Sequence, residues 1–186
     1  TQILIPAGAT VPAVDEEFIY DENVEWVGSV SGTTGNFAYT VAPFNKIYCT
    51  NITTISNGDT VTYTKTGTIN TAIYGELVLF IKLKATMSNQ HNLYVGFLNG
   101  GTLVSTEIVL PLLDKANRTT WQNIVIPLSS FTFSSTIVNA LRFRWRKQGA
   151  NTNHAGFYLD FIKFQGGIVQ PPITGNIILT GDISGL

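Results

Sequence analysis

The chain holds one cysteine (Cys49), one methionine and two histidines in 186 residues. A single cysteine excludes an intrachain disulfide and any cysteine-built metal cluster, and such a lone thiol is expected to be buried as a small apolar group. Charge is scarce as well. Asp, Glu, Lys and Arg make up 12% of the chain, about half the usual share of a soluble domain. The net charge of −1 and a pI near 6.0 leave no overall cationic footprint for nucleic acid. No apolar run approaches the ~18 residues that a membrane helix needs, and no leader pattern is present. There is no glycine-rich phosphate loop, no Gly-x-Ser-x-Gly elbow and no His-Glu-x-x-His zinc motif. The two histidines, His91 and His154, lie in Asn-rich stretches that read as exposed turns, so the sequence predicts no enzyme.

What is present is apolar (44%) and small-polar, with Thr, Asn, Ser and Gly supplying the polarity. That balance is common in secreted and surface-displayed all-β proteins, and an extracellular or virion-surface location is the expectation. The chain starts in a polar segment without an initiator Met, and a processed protein or a piece of a longer one is expected. Short β-type runs recur from Phe18 onward: 18–20, 37–41, 46–49, 60–64, 76–84, 92–98, 103–110, 121–128, 138–146 and 157–164. Turn residues such as Asn57-Gly58-Asp59 and Asn99-Gly100-Gly101 separate them, and no stretch carries a sustained helical period. The spacing predicts an all-β antiparallel β-sandwich or jelly roll. Residues 1–17 read as an extended lead-in, 18–164 as the sandwich, and 165–186 as a Gly/Pro linker with a short β segment.

The richest stretch is Leu141-Arg142-Phe143-Arg144-Trp145-Arg146. In a strand, period-two alternation puts Leu141, Phe143 and Trp145 on one face and the three arginines on the other. One face can close a core while the other offers guanidinium groups to something polar. Trp145 sits at the end of the run, where it either completes the core or reaches the rim. Alternation in 92–97 likewise turns Leu93, Val95 and Phe97 inward and Tyr94 outward. Three like charges spaced by two repel unless an anionic or multiply hydroxylated partner lies over them, or unless acids of the fold pair with them. Six of the twelve acids fall in residues 15–25, and that segment is one such partner.

Two separated segments carry a resemblance. The first is Phe18-Ile19-Tyr20-Asp21-Glu22 with Trp26 close behind. The second runs from Trp121 through Ile124-Val125-Ile126-Pro127-Leu128 and Leu141-Arg142-Phe143-Arg144 to Phe157-Tyr158-Leu159-Asp160. Together they resemble the galactose-binding-like β-sandwich of non-catalytic carbohydrate-binding modules over residues 18–164. The resemblance implies a glycan-binding module of a larger protein that attaches to polysaccharide, and it implies a packing role for Trp121. It also implies a structural calcium ion at Asp160, with Asp21 or Glu22 as partners; the residues themselves leave a hydrogen bond or salt bridge as the other role for Asp160. Sugars need aromatic planes and planar donors. The expected ligand-binding residues are therefore Arg142, Arg144, Arg146, Trp145, Trp26, Tyr94 and Asn92, with Tyr39, Tyr74 and Gln148 as further candidates. The other class of reading is an assembly domain of a phage fibre, collar or capsid decoration, with a homotrimer held by the C-terminal segment.

Overall fold

The computed structural model describes residues 16–20, 25–40, 43–44, 48–147 and 153–167. Among them, twelve strands follow in chain order: β1 (Glu17–Tyr20), β2 (Trp26–Ser31), β3 (Thr34–Tyr39), β4 (Cys49–Ile55), β5 (Thr60–Asn70), β6 (Tyr74–Leu83), β7 (His91–Asn99), β8 (Thr102–Leu103), β9 (Ile108–Val109), β10 (Gln122–Pro127), β11 (Ile137–Lys147) and β12 (His154–Gly167). They form two six-stranded antiparallel sheets. The first has the order β10-β6-β12-β4-β3, with β1 also on β12; the second has the order β2-β5-β11-β7-β8, with β9 also on β7. This is the expected β-sandwich jelly roll. The expected trimer contact and most of the 165–186 segment lie outside the described residues, as does most of the 1–17 lead-in. No helix among the described residues is long and apolar enough to cross a membrane.

The core lies between the sheets and follows from period-two patterning. Leu77, Leu79, Ile81 and Leu83 of β6 face Val61 and Tyr63 of β5, Leu93, Val95 and Phe97 of β7, and Leu141, Phe143 and Trp145 of β11 in one buried cluster. Full burial of each such side chain contributes roughly 1.5–3 kcal/mol. β6 is central, between β10 and β12, as its apolar start suggests. Cys49 is fully buried. The buried Tyr63 hydroxyl donates to Thr50 Oγ1 at 2.7 Å, and burial above all pushes its phenol well above the ordinary range.

Strand β12 carries the feature that shapes the first sheet's outer face. Its register on β6 slips by one residue between Asp160 and Lys163, and Phe161 adopts φ 47°. This is a β-bulge, which adds one residue to one strand and shifts the phase of every side chain after it. Before it, Phe157 and Leu159 are inward; after it, Ile162 and Phe164 are. Tyr158, Asp160, Phe161 and Lys163 therefore all fall on the outer side.

Three sequence expectations change. β2 does not appear among the expected strands. β4 occupies 49–55 rather than 46–49, because its Thr and Asn residues hide a strand in which Thr50, Asn51 and Ile52 are all buried. The expected strand 103–110 survives only as the two-residue pieces β8 and β9. The chain between them turns inward at Ser105, whose hydroxyl accepts from Phe97 N at 2.9 Å.

Candidate functional site

Both outer faces carry polar or aromatic side chains that the core does not use. On the second sheet the arginine stripe is where alternation puts it. Arg142, Arg144 and Arg146 of β11 stand opposite Gly96, Tyr94 and Asn92 of β7. What lies over them is Glu107, the residue before β9. Its Oε1 accepts from Arg142 Nη2 at 2.8 Å and from Arg144 Nε at 3.1 Å, while its Oε2 pairs with Arg144 Nη2. One carboxylate thus bridges two guanidiniums and leaves the trio with one net positive charge. Gly96 makes room for it: a Cβ there would stand 2.9 Å from Glu107 Cγ and 3.2 Å from Leu103 Cδ1, a close approach that only glycine permits.

The stripe therefore departs from the expectation of three ligand-facing donors. Arg142 and Arg144 are bound within the fold. Among the described residues their partner is not an acid of the 15–25 segment, whose Glu17 and Glu25 bind Lys65 at 2.5 and 2.8 Å and whose Glu16 binds Lys163. Arg146 is exposed and forms no ion pair among the described residues. Its guanidinium carbon and that of Arg144 lie 5.7 and 5.8 Å from the Tyr94 ring centre, so Tyr94 supports cations instead of standing bare as a stacking surface.

Two expected platforms belong to the core. Trp145 is fully buried, stacked 6.4 Å from Phe157 and beside His91 and His154 at 5.2 and 4.9 Å. Period two holds to the last turn of β11, so the strand end does not carry this ring to the rim. Trp26 is also buried, and its indole N–H donates to Glu17 Oε1 at 3.0 Å. Tyr74 stacks on Phe164 at 5.3 Å. Gln148 lies outside the described residues.

The histidines correct another expectation. Both are buried within strands, not exposed in turns. The His154 Nδ1 accepts from Gly156 N at 3.0 Å, which leaves Nε2 to donate to the Ala85 carbonyl at 2.9 Å. A second ring proton would face the Gly156 N–H. Burial lowers the pKa of both rings; for His91 the nearby His154, Lys147 and Lys115 lower it further.

The first sheet's outer face carries a row of half-buried rings. Tyr39 stacks on Tyr158 at 5.8 Å, Tyr158 lies 6.3 Å from Trp121, Trp121 lies 5.8 Å from Phe44, and Phe44 stacks on Phe80 at 3.8 Å. Phe161 and Phe18 continue the row at 5.9 and 5.6 Å. Lys84 sits 4.8 Å over the Tyr158 ring. Burial first, then Tyr39 and Cys49, raise the Tyr158 phenol above its ordinary pKa, so it remains a neutral hydroxyl. Phe44 is 44% exposed. Trp121 is thus on the surface, not in the packing role its resemblance implied. The signal was in the pattern: Ile124 and Ile126 are inward, so odd-numbered Trp121 is outward, and Tyr158 is outward between Phe157 and Leu159.

Asp160 lies beneath this row. It is 1% exposed, and it accepts from Phe44 N and Phe161 N, both at 2.7 Å. The carboxylate thereby fastens the 43–44 segment and the bulge. Among the described residues no group of three or more His, Cys, Asp or Glu side chains converges as a metal would require. Asp21 and Glu22, the other residues expected at calcium, lie outside the described residues.

A jelly-roll sandwich with one aromatic outer face defines the class by architecture. No protein-family model matches the sequence, and no curated protein matches it. Among solved structures the fold is similar to the family 11 carbohydrate-binding module from Clostridium thermocellum in complex with a β-1,3-1,4-mixed-linked tetrasaccharide, with a TM-score of 0.56 and 16% identity over 86% of this chain and 100% of that one. It is also similar to a β-1,2-glucanase from Parabacteroides distasonis, with a TM-score of 0.58 and 11% identity over 79% of this chain. This chain spans 24% of that glucanase. SGBP-B from a complex xyloglucan utilization locus in Bacteroides uniformis is similar with a TM-score of 0.53 and 13% identity, covering 80% of this chain and 49% of that one.

Proposed function

We propose that this domain is a non-catalytic carbohydrate-binding module that holds a polysaccharide along the aromatic row of the first sheet, outside the cell, as part of a larger protein. The observation that carries the reading is the unbroken sequence of rings from Tyr39 through Tyr158, Trp121 and Phe44 to Phe80, with centres 3.8 to 6.3 Å apart. Sugar rings present apolar C–H faces that pack on aromatic surface, and their hydroxyls need donors at its margin. The Tyr158 hydroxyl, Lys82 and Lys84 are such groups. Similarity to a carbohydrate-binding module over that module's whole length supports the reading.

A binding role suits the chemistry better than hydrolysis. Glycoside cleavage needs two carboxylates flanking the bond, whereas Asp160 is buried under the row and bonded to two backbone amides. An open face of this kind binds weakly per site and acts through avidity when copies are linked.

The test is calorimetric titration with a panel of neutral β-glucan oligosaccharides, the mixed-linked β-1,3-1,4 tetrasaccharide included. Tyr158→Ala should weaken binding by at least tenfold, about 1.4 kcal/mol, with the fold intact. A protein that binds none of the panel, or a Tyr158→Ala variant that binds as well as the parent, overturns the proposal.

A further inference from the structure

The second sheet has a site of different chemistry, on the opposite side of the sandwich from the aromatic row. A cavity of about 320 Å³ opens between the β7–β11 pair and the β4–β5 turn, lined by Asn57, Asn92, Tyr94, Arg144, Arg146 and Lys147 among others. None of its lining residues is acidic. Two of its side-chain acceptors are already used. Asn92 Oδ1 accepts from Lys115 Nζ at 3.0 Å, and Asn57 Oδ1 accepts from Lys147 N at 3.0 Å. Both side-chain amides thereby keep their NH2 groups as the groups left to offer. Glu107 offsets only one of the two charges of Arg142 and Arg144, while Arg146 forms no ion pair among the described residues. The Tyr94 ring lies within 5.8 Å of both guanidinium carbons that line the cavity.

The cavity therefore combines surplus positive charge, surplus N–H donors and a guanidinium held against a ring. Such an arrangement matches a carboxylate or sulfate oxygen pair, which arginine grips in a bidentate fork. We propose that this cavity is a second glycan site that takes an anionic sugar, a uronate or a sulfate ester, and that Arg146 is its principal contact. The volume suits one such residue and its anionic group, not a long chain. The site does not depend on the aromatic row, so either can fail without the other.

The experiment is titration of the full chain at low salt with an oligogalacturonide, with a sulfated oligosaccharide and with a neutral oligosaccharide of equal length. With the aromatic row disabled by Tyr158→Ala, at least one acidic ligand should bind at least tenfold more tightly than the neutral one, and its affinity should fall as salt is raised. Arg146→Gln removes the exposed guanidinium, and Asn57→Asp keeps the acceptor for Lys147 N while adding a negative charge. Each should weaken the acidic ligand at least tenfold and leave neutral-glucan binding and Tm unchanged, whereas Tyr158→Ala should leave acidic binding intact. In the Tyr158→Ala variant, equal affinity for acidic and neutral sugars overturns the proposal. So does an unaffected Arg146→Gln variant, or a single-stranded oligonucleotide of equal charge that binds as tightly as the sugars.

Discussion

At Glu107 one carboxylate meets two guanidiniums that β11 sets two residues apart. Its side chain is 9% exposed, and those of Arg142 and Arg144 are 24% and 22% exposed. Deleting the acid leaves two partly desolvated cations side by side, a loss larger than that of a surface pair. Glu107→Ala is expected to cost about 2 kcal/mol, lowering Tm by roughly 4–8 °C in thermal unfolding. The two histidines give a second prediction. Both are held neutral in the fold, with pKa values below the ordinary range, while in the unfolded chain they protonate near ~6.5. The unfolded state therefore binds more protons as pH falls, and stability is complete above about 6.5 and is lost below it, down through the lowered folded values. Denaturant midpoints measured from pH 7.5 to 5.0 should show this fall, and His91→Gln with His154→Gln should flatten it.

On the scale of elements, β10, β11 and β12 distribute the large aromatics between core and surface. Trp145→Ala should cost about 3–5 kcal/mol, as a large core deletion does. Trp121→Ala should cost under about 1 kcal/mol, because its ring is only partly buried. Equal losses in thermal unfolding would contradict the assignment of one ring to the core and the other to the surface. Much of this was legible in the sequence. The alternation of Leu141 to Arg146 and of Leu93 to Phe97 places those side chains correctly, and the spacing of turns gives the sandwich. Three things were not legible. The bulge at Phe161 adds a residue that no period-two pattern announces, and it carries Phe161 outward beside Phe80. Glu107 meets the arginines through a long-range crossing over Gly96, and local spacing holds no record of it. His91 and His154 read as turn residues from their Asn neighbours, yet the strand ends close around Trp145 and bury them.

At the scale of the whole molecule, the sandwich separates two chemistries. The first sheet faces outward with neutral rings fastened by Asp160, and the second faces outward with arginines, two sharing one carboxylate and the third without an ion pair among the described residues. The three tryptophans divide in the same way, with Trp26 and Trp145 buried and Trp121 on the aromatic row. A neutral glycan seated on that row must change the surroundings of Trp121 and leave the other two untouched. The most direct test is therefore tryptophan fluorescence with acrylamide quenching, with and without a neutral β-glucan oligosaccharide. The account predicts that saturating ligand alters the emission and protects it from quencher, and that Trp121→Phe abolishes both changes. Binding that leaves Trp121 equally quenchable, or a ligand response that persists in Trp121→Phe, would contradict the placement of the glycan on the first sheet.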